Sequence, residues 1–203
     1  MRVPTEQLFK HCYGKFGIAA VNVEFMEQVL ALFAAADKAD APFIVQTTPM
    51  ARDYATPEML VGMVEAAAKL YPKTLFALHL DHGVESHIEH ALAGGGYSSV
   101  MIDASNDDFA TNVQRTRAVV QTAHPLGINV EAELGVLAGV EDDLTVEAEH
   151  AFYTNPEDVG AFVHQTGCDS LAVAVGTLRA VRVPLRVAVE ETGGQRGVYT
   201  YSD

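Results

Sequence analysis

Six short apolar runs recur along this 203-residue chain, spaced by about thirty residues and separated by stretches of helical periodicity. They lie at residues 17–23, 43–48, 74–80, 98–103, 127–133 and 169–176. Strands alternating with helices have few ways to bury both sheet faces, and a parallel α/β sheet is the usual one. The intervening stretches carry helix signals. Residues 24–39 place Phe25, Val29, Leu32 and Ala36 on one stripe. Thr56-Pro57-Glu58 reads as a helix start with Thr56 as its capping hydroxyl, and that helix should turn Met59, Met63, Ala67 and Leu70 inward. Further helices are predicted over 5–13, 86–93 and 107–124 and from Asn155-Pro156-Glu157 onward, with Val113, Val120 and Ala123 facing the core. Gly94-Gly95-Gly96 stops the 86–93 helix, and residues 134–154 read as a long loop.

Polar residues sit where the runs end: Asn22, Thr48, Asp81, His82, Asp103, Glu133 and Gly176-Thr177. An open doubly wound sheet gathers its ligands at one switch point. Chemistry at every strand end points instead to a (β/α)₈ TIM barrel, whose active sites lie on the C-terminal rim. Six units fall short of eight, so the barrel is expected to be incomplete.

The stretch Phe76-Ala77-Leu78-His79-Leu80-Asp81-His82-Gly83 carries the densest signal. Alternation puts His79 and Asp81 on one face and Leu78 and Leu80 on the other. A strand buried on both faces should stay apolar to its end, so these polar groups carry a desolvation cost. A His–Asp pair tying down a loop is one reading. A catalytic acid/base beside a metal-binding imidazole is the other, with Gly83 letting the backbone leave the strand.

Composition excludes several classes. The formal net charge of −14 disfavours nucleic acid, which is bound through Lys and Arg, and repels anionic membrane surfaces. No apolar run approaches the ~20 residues of a membrane span. The start, Met1-Arg2-Val3-Pro4-Thr5-Glu6, lacks a signal-peptide core. Cys12 and Cys168 lack the spacing of a zinc knuckle and fit a cytoplasmic protein with free thiols. A small phosphorylated ligand stays open, since backbone amides and helix N-termini can hold it.

On the rim, one imidazole (His82) and the carboxylates Asp81, Asp103 and Glu133 suit a divalent ion such as zinc. Such an ion would polarise a carbonyl while a neighbouring carboxylate shuttles a proton. Four linked stretches then acquire a common meaning: Leu78-His79-Leu80-Asp81-His82-Gly83, residues 95–105 from Gly95 to Ser105, Val130-Glu131-Ala132-Glu133-Leu134-Gly135, and Gly139-Val140-Glu141-Asp142-Asp143. Together they resemble the class II, metal-dependent ketose-bisphosphate aldolases, over about residues 1–177. The resemblance implies a TIM barrel and aldol cleavage of fructose 1,6-bisphosphate or tagatose 1,6-bisphosphate. It also implies Zn²⁺ with a possible second divalent or monovalent cation, a phosphorylated sugar as partner, and homo-oligomers in the intact family. It makes Asp81 the general acid/base and His82 a zinc ligand. Asp103 and Glu133 fall at alternative metal positions, and Glu141 is the mobile-loop acid acting on the dihydroxyacetone phosphate carbon. Asn22, Thr48 and Gly176 would line the substrate pocket.

The pattern breaks after the sixth run. The family continues Gly-Thr-Ser-His-Gly, and that histidine is a second zinc ligand. Here the chain reads Gly176-Thr177-Leu178-Arg179-Ala180. Arginine stays protonated and has no lone pair to give a metal. Four of the chain's 13 Lys+Arg cluster as Arg179, Arg182, Arg186 and Arg196, so residues 178–203 read as an aberrant tail with a frameshift-like change of composition. Weak zinc binding and little turnover are expected of such a chain, and the ~250 residues of a whole barrel are not reached. Val181 to Val189, interrupted by Pro184, offers only an edge strand, so open sheet edges and self-association are expected.

The other candidates have plainer readings. His87 and His90, one helical turn apart, are expected on a solvent face, as are His11, His124, His150 and His164. Gly94-Gly95-Gly96 follows a helix and lacks phosphate-loop spacing. A Schiff-base mechanism would need a strand-end lysine, and Lys10, Lys15, Lys38, Lys69 and Lys73 lie elsewhere. Competing functions are a catalytically dead remnant acting as an interaction partner, and another metal-dependent sugar-phosphate isomerase or epimerase.

Overall fold

The computed structural model describes residues 1–136, 139–141, 144–146 and 153–175. In chain order it forms α1 (Thr5–Cys12), β1 (Ala19–Asn22), α2 (Met26–Ala39), β2 (Phe43–Thr47), α3 (Pro49–Ala55), α4 (Pro57–Leu70) and β3 (Phe76–Gly83). There follow α5 (Glu85–Gly94), β4 (Ser99–Ile102), α6 (Phe109–Ala123), β5 (Asn129–Leu134), β6 (Gly139–Glu141), β7 (Leu144–Val146), α7 (Pro156–Thr166) and β8 (Ser170–Val173). All six predicted runs become strands of one sheet, in the order β1-β2-β3-β4-β5-β8, and every pairing is parallel. Spatial order therefore follows chain order, and all six C-terminal ends point the same way. Among the described residues β1 and β8 are the open edges.

Burial explains the strand sequences. β2 and β4 are buried at every position, as a sheet covered on both faces requires. Outside the sheet, Phe33 of α2 meets Phe43 and Phe76 edge-on at centroid distances of 5.0 and 4.9 Å, and Phe43 stacks on Phe76 at 5.9 Å. On the other face α1 closes the start of the strands. Leu8, Phe9 and Cys12 pack on Ile44 and Ala77, while Asn129 Oδ1 accepts from the Thr5 hydroxyl (3.1 Å) and the Glu6 amide (3.0 Å).

Three local expectations are corrected. The inward stripes keep Val29, Ala36 and Ala67, but Phe33 on α2 and Leu60 and Val64 on α4 are the other buried positions, with Leu32 and Met63 only partly buried beside them. Phe25 is 40% exposed, Met59 59% and Leu70 68%. These helices carry more apolar residues than one face can bury, so the sheet's position selects the stripe. Thr56 makes no capping bond, and its φ of 65° marks a junction between α3 and α4. The cap-and-proline signal operates one instance earlier, where Thr48 Oγ1 accepts from the Ala51 amide at 3.2 Å and opens the unforeseen helix α3. The 134–154 segment contains an antiparallel hairpin rather than loop alone, with Gly139 opposite Val146 and Glu141 opposite Leu144. Its return is pinned to the sheet: the Thr154 amide donates to Ala174 O at 2.9 Å, and Thr154 Oγ1 accepts from the Ala174 amide at 2.7 Å. Gly135, at φ +97°, fits there because a Cβ would lie 2.8 Å from both Ala174 Cβ and the Thr154 nitrogen.

Candidate metal and catalytic site

The end of β3 departs from regular pairing. His79 and Leu80 register with Ser99 and Val100, but Gly83 registers with Ile102, so β3 holds one residue more than β4 across this step. The extra residue is a β-bulge. His82 takes φ +47°, left-handed for a non-glycine residue. In a regular strand Asp81 and His82 would point to opposite faces. The bulge turns both toward the C-terminal rim. The strand runs past residue 80, where the apolar run ends, and Gly83 closes it, buried against β4, rather than releasing the chain. A Cβ there would meet Met101 O at 2.9 Å, with side chains of Ile88 and Leu80 at 3.1 Å. Gly83→Ala is therefore expected to destabilise by about 1–3 kcal/mol, the usual cost of overpacking, and to displace His82. A thermal melt and a zinc titration of the variant measure both effects.

Asp103 follows β4, and its amide donates to Gly83 O at 3.1 Å. Its carboxylate takes a contact of 3.0 Å from His82 Nδ1 at Oδ2, and bonds from the Ser105 amide (3.1 Å) and hydroxyl (2.7 Å) at Oδ1. Burial works against its charge, but the bonds from His82 and Ser105 hold it below the ordinary carboxylate range. Burial likewise works against charge on His82. The Asp103 bond and the fields of Asp81, Glu133 and Asp103 outweigh it and push that imidazole up to about 10. Glu133, near the end of β5, completes the group: His82, Asp103 and Glu133 each offer one ligand atom, all within 4.8 Å of one another. One imidazole and two carboxylates suit a divalent cation. The electrostatics agree, because the carboxylates hold a proton on His82 where an ion would supply positive charge.

Beneath this cluster lies a polar seam across four neighbouring strands. His79 is 2% exposed, with Nδ1 2.9 Å from Ser99 Oγ. Its Nε2 stands 3.8 Å from Asp81 Oδ1 and 3.7 Å from Glu131 Oε2. Ser170 donates to Glu131 Oε2 at 3.3 Å. Burial pushes His79 down to about 3, with His82 adding to it, and pushes Glu131 up to about 7, with Asp81 adding to it. Both side chains are thereby neutral in weakly acidic solution.

Asp81, His82, Asp103 and Glu133 thus share one rim, as their strand-end positions suggest. Asn22 ends β1 and is exposed, and Thr48 is buried with its hydroxyl capping α3. Glu141 ends β6; its side chain, Gly176 and Arg179 lie outside the described residues. Sequence reasoning missed Glu131, whose apolar-strand setting gives no local signal. It also missed Arg52, a charged residue 4% exposed, which donates to Tyr97 Oη at 3.0 Å and reaches His90 Nδ1 at 3.1 Å. His90 is exposed as expected, whereas His87 is half-buried with a buried Nδ1 that has no partner among the described residues. Both cysteines are buried and neither forms a disulfide, and no described helix is long and apolar enough to cross a membrane.

Comparison with known proteins bears on the family and the fold. The family model "Fructose-bisphosphate aldolase class-II" matches residues 3–188. A fructose-bisphosphate aldolase of Helicobacter pylori is 40% identical over 172 residues, covering 85% of this chain and 56% of its own. One of Thermus caldophilus is 40% identical over 165 residues, covering 80% and 52%. The chain therefore spans about half the length of these relatives. Among solved structures, the YdjI aldolase of Escherichia coli K12 superposes with a TM-score of 0.74 at 32% identity, over 86% of this chain and 62% of its own. A Campylobacter jejuni fructose-bisphosphate aldolase, at 24% identity and TM-score 0.71 over 93% and 62%, supports the fold. The six-stranded sheet is a curled, incomplete TIM barrel, α/β in class. With the matched span covering most of its length, the chain belongs to the class II fructose-bisphosphate aldolase family.

Proposed function

We propose that this chain carries the acid/base half of a zinc-dependent lyase site that cleaves fructose 1,6-bisphosphate to dihydroxyacetone phosphate and glyceraldehyde 3-phosphate. The observation that carries the proposal is the convergence of His82, Asp103 and Glu133 beside Asp81 on one rim. His82, with Asp103 and Glu133, would hold the ion; when bound, it supplies a Lewis acid for a ketone oxygen. Asp81 takes the proton from the hydroxyl at the bond being broken and returns it in condensation. Glu141, on the hairpin after β5, serves the carbon acid of dihydroxyacetone phosphate, and the hairpin acts as a cover. Asn22, Thr48 and Gly176 are assigned to the substrate pocket, Thr48 through its backbone because its hydroxyl caps α3. Domain 1–177 bears the site and 178–203 is a tail. The setting is cytoplasmic carbohydrate metabolism, with a homo-oligomer as the assembled form.

Gly176-Thr177-Leu178-Arg179-Ala180 favours a second reading, a remnant that binds zinc weakly and turns over little, because Arg179 stands at the second ligand's position. One experiment separates the two. The purified chain is saturated with zinc and assayed for aldol cleavage and for deuterium exchange into dihydroxyacetone phosphate. The lyase reading expects both, with cleavage falling at least about a hundredfold in Asp81→Asn, the lower range of general acid–base contributions. Absence of both at saturating zinc leaves the remnant.

A further inference from the structure

His79 is buried in the seam, yet its Nε2 has no hydrogen-bond partner among the described residues. A buried imidazole nitrogen without a partner is costly and calls for an explanation. Both oxygens near it belong to acceptors. Asp81 offers a carboxylate oxygen at 3.8 Å, and Glu131 offers Oε2 at 3.7 Å, which already accepts from Ser170. On its other side the ring meets the fully buried Ser99 hydroxyl at 2.9 Å. Glu131 Oε2 already accepts from Ser170, so the proton of a neutral Glu131 belongs on Oε1, and Nε2, facing two accepting oxygens, is assigned as the donor. Ser99 must then donate to Nδ1, which fixes the tautomer.

We propose that His79 is a positioning residue for Asp81. Ser99 holds its proton on Nε2, and that N–H, aimed between Asp81 and Glu131, orients the Asp81 carboxylate toward the rim. The inference rests on the reading of Asp81 as the acid/base and adds a residue to it. Separations of 3.7–3.8 Å are longer than a hydrogen bond, as is common before a site closes on substrate. The seam is built for one orientation. It spans β4, β3, β5 and β8, where Ser99 registers with His79 and Ser170 with Glu131, so backbone pairing fixes all four side chains. A histidine kept only for packing would need neither the hydroxyl on one side nor the acceptors on the other.

The full chain, labelled with ¹⁵N at its histidines and ¹³C at its aspartate carboxyls, tests this without metal or substrate. His79 is expected as a single neutral tautomer with a slowly exchanging proton on Nε2. Ser99→Ala should lose that uniqueness, with the Nδ1-protonated form appearing, while the backbone amide fingerprint away from β3 and β4 is kept. His79→Gln, which retains an N–H donor, should leave the Asp81 carboxyl resonance near its original position, whereas His79→Leu should shift it. A proton resident on Nδ1 overturns the proposal, as does an Asp81 resonance that responds equally to Gln and Leu. If His79→Leu fails to fold, the Ser99→Ala spectrum decides alone. Because no readout depends on turnover, a chain inactive in the cleavage assay but with these spectra sinks the lyase reading and leaves the positioning role intact.

Discussion

His82→Ala is expected to weaken divalent-cation binding by more than about a hundredfold, since loss of a partner that merely supports a ligand already costs up to that much. Calorimetric titration with zinc at fixed pH measures it, and unchanged affinity would remove His82 from the ligand set. The pH dependence gives a sharper signature. In the metal-free chain the His82 imidazole is held protonated up to about 10, against an ordinary 6.5. Its pairing with Asp103 therefore stabilises the fold fully below pH 6.5, and that contribution is lost as pH rises through 10. The ion competes with this proton. Each bound zinc should release about one proton near pH 8, and affinity should rise roughly tenfold per pH unit below the imidazole's pKa. Calorimetry in buffers of different ionisation enthalpy reads the proton directly. In His82→Ala both the proton release and the alkaline loss of metal-free stability should vanish.

The second large effect concerns the core. Phe33 is fully buried and touches Phe43, Phe76 and Tyr71, the last at a centroid distance of 6.3 Å. Phe33→Ala removes a ring that no neighbour can replace, because Phe43 and Phe76 are anchored on paired strands. A loss of about 3–5 kcal/mol is expected, a large part of the 5–15 kcal/mol of a typical domain. Denaturant unfolding measures it, with the midpoint falling while the slope stays constant. A loss under about 1 kcal/mol would mean that α2 can repack on the sheet. Since β3 carries Asp81 and His82, the variant should also bind zinc less well at temperatures near its lowered melting point.

The six strands, their parallel arrangement and the polar rim were legible in the chain itself, because burial on both faces demands apolar runs and α/β alternation leaves few ways to pair them. The motifs around Asp81, His82, Asp103 and Glu133 pointed to the family through their resemblance to its sequences, with these polar groups placed at strand ends. Which stripe of α2 and α4 faces inward was not legible, since Leu32 and Phe33, or Met59 and Leu60, are equally apolar and differ only in rotation about the helix. Nor could period-two alternation bring His82 beside Asp81. That depends on one extra residue in β3, a left-handed φ, and a Gly83 pressed against the backbone of β4, all set by the neighbouring strand. The seam of Ser99, His79, Glu131 and Ser170 is likewise a product of register, since its members are separated in sequence and meet only where strands pair. Residue chemistry decided what the rim can hold, and the packing of strand on strand decided which side chains reach it.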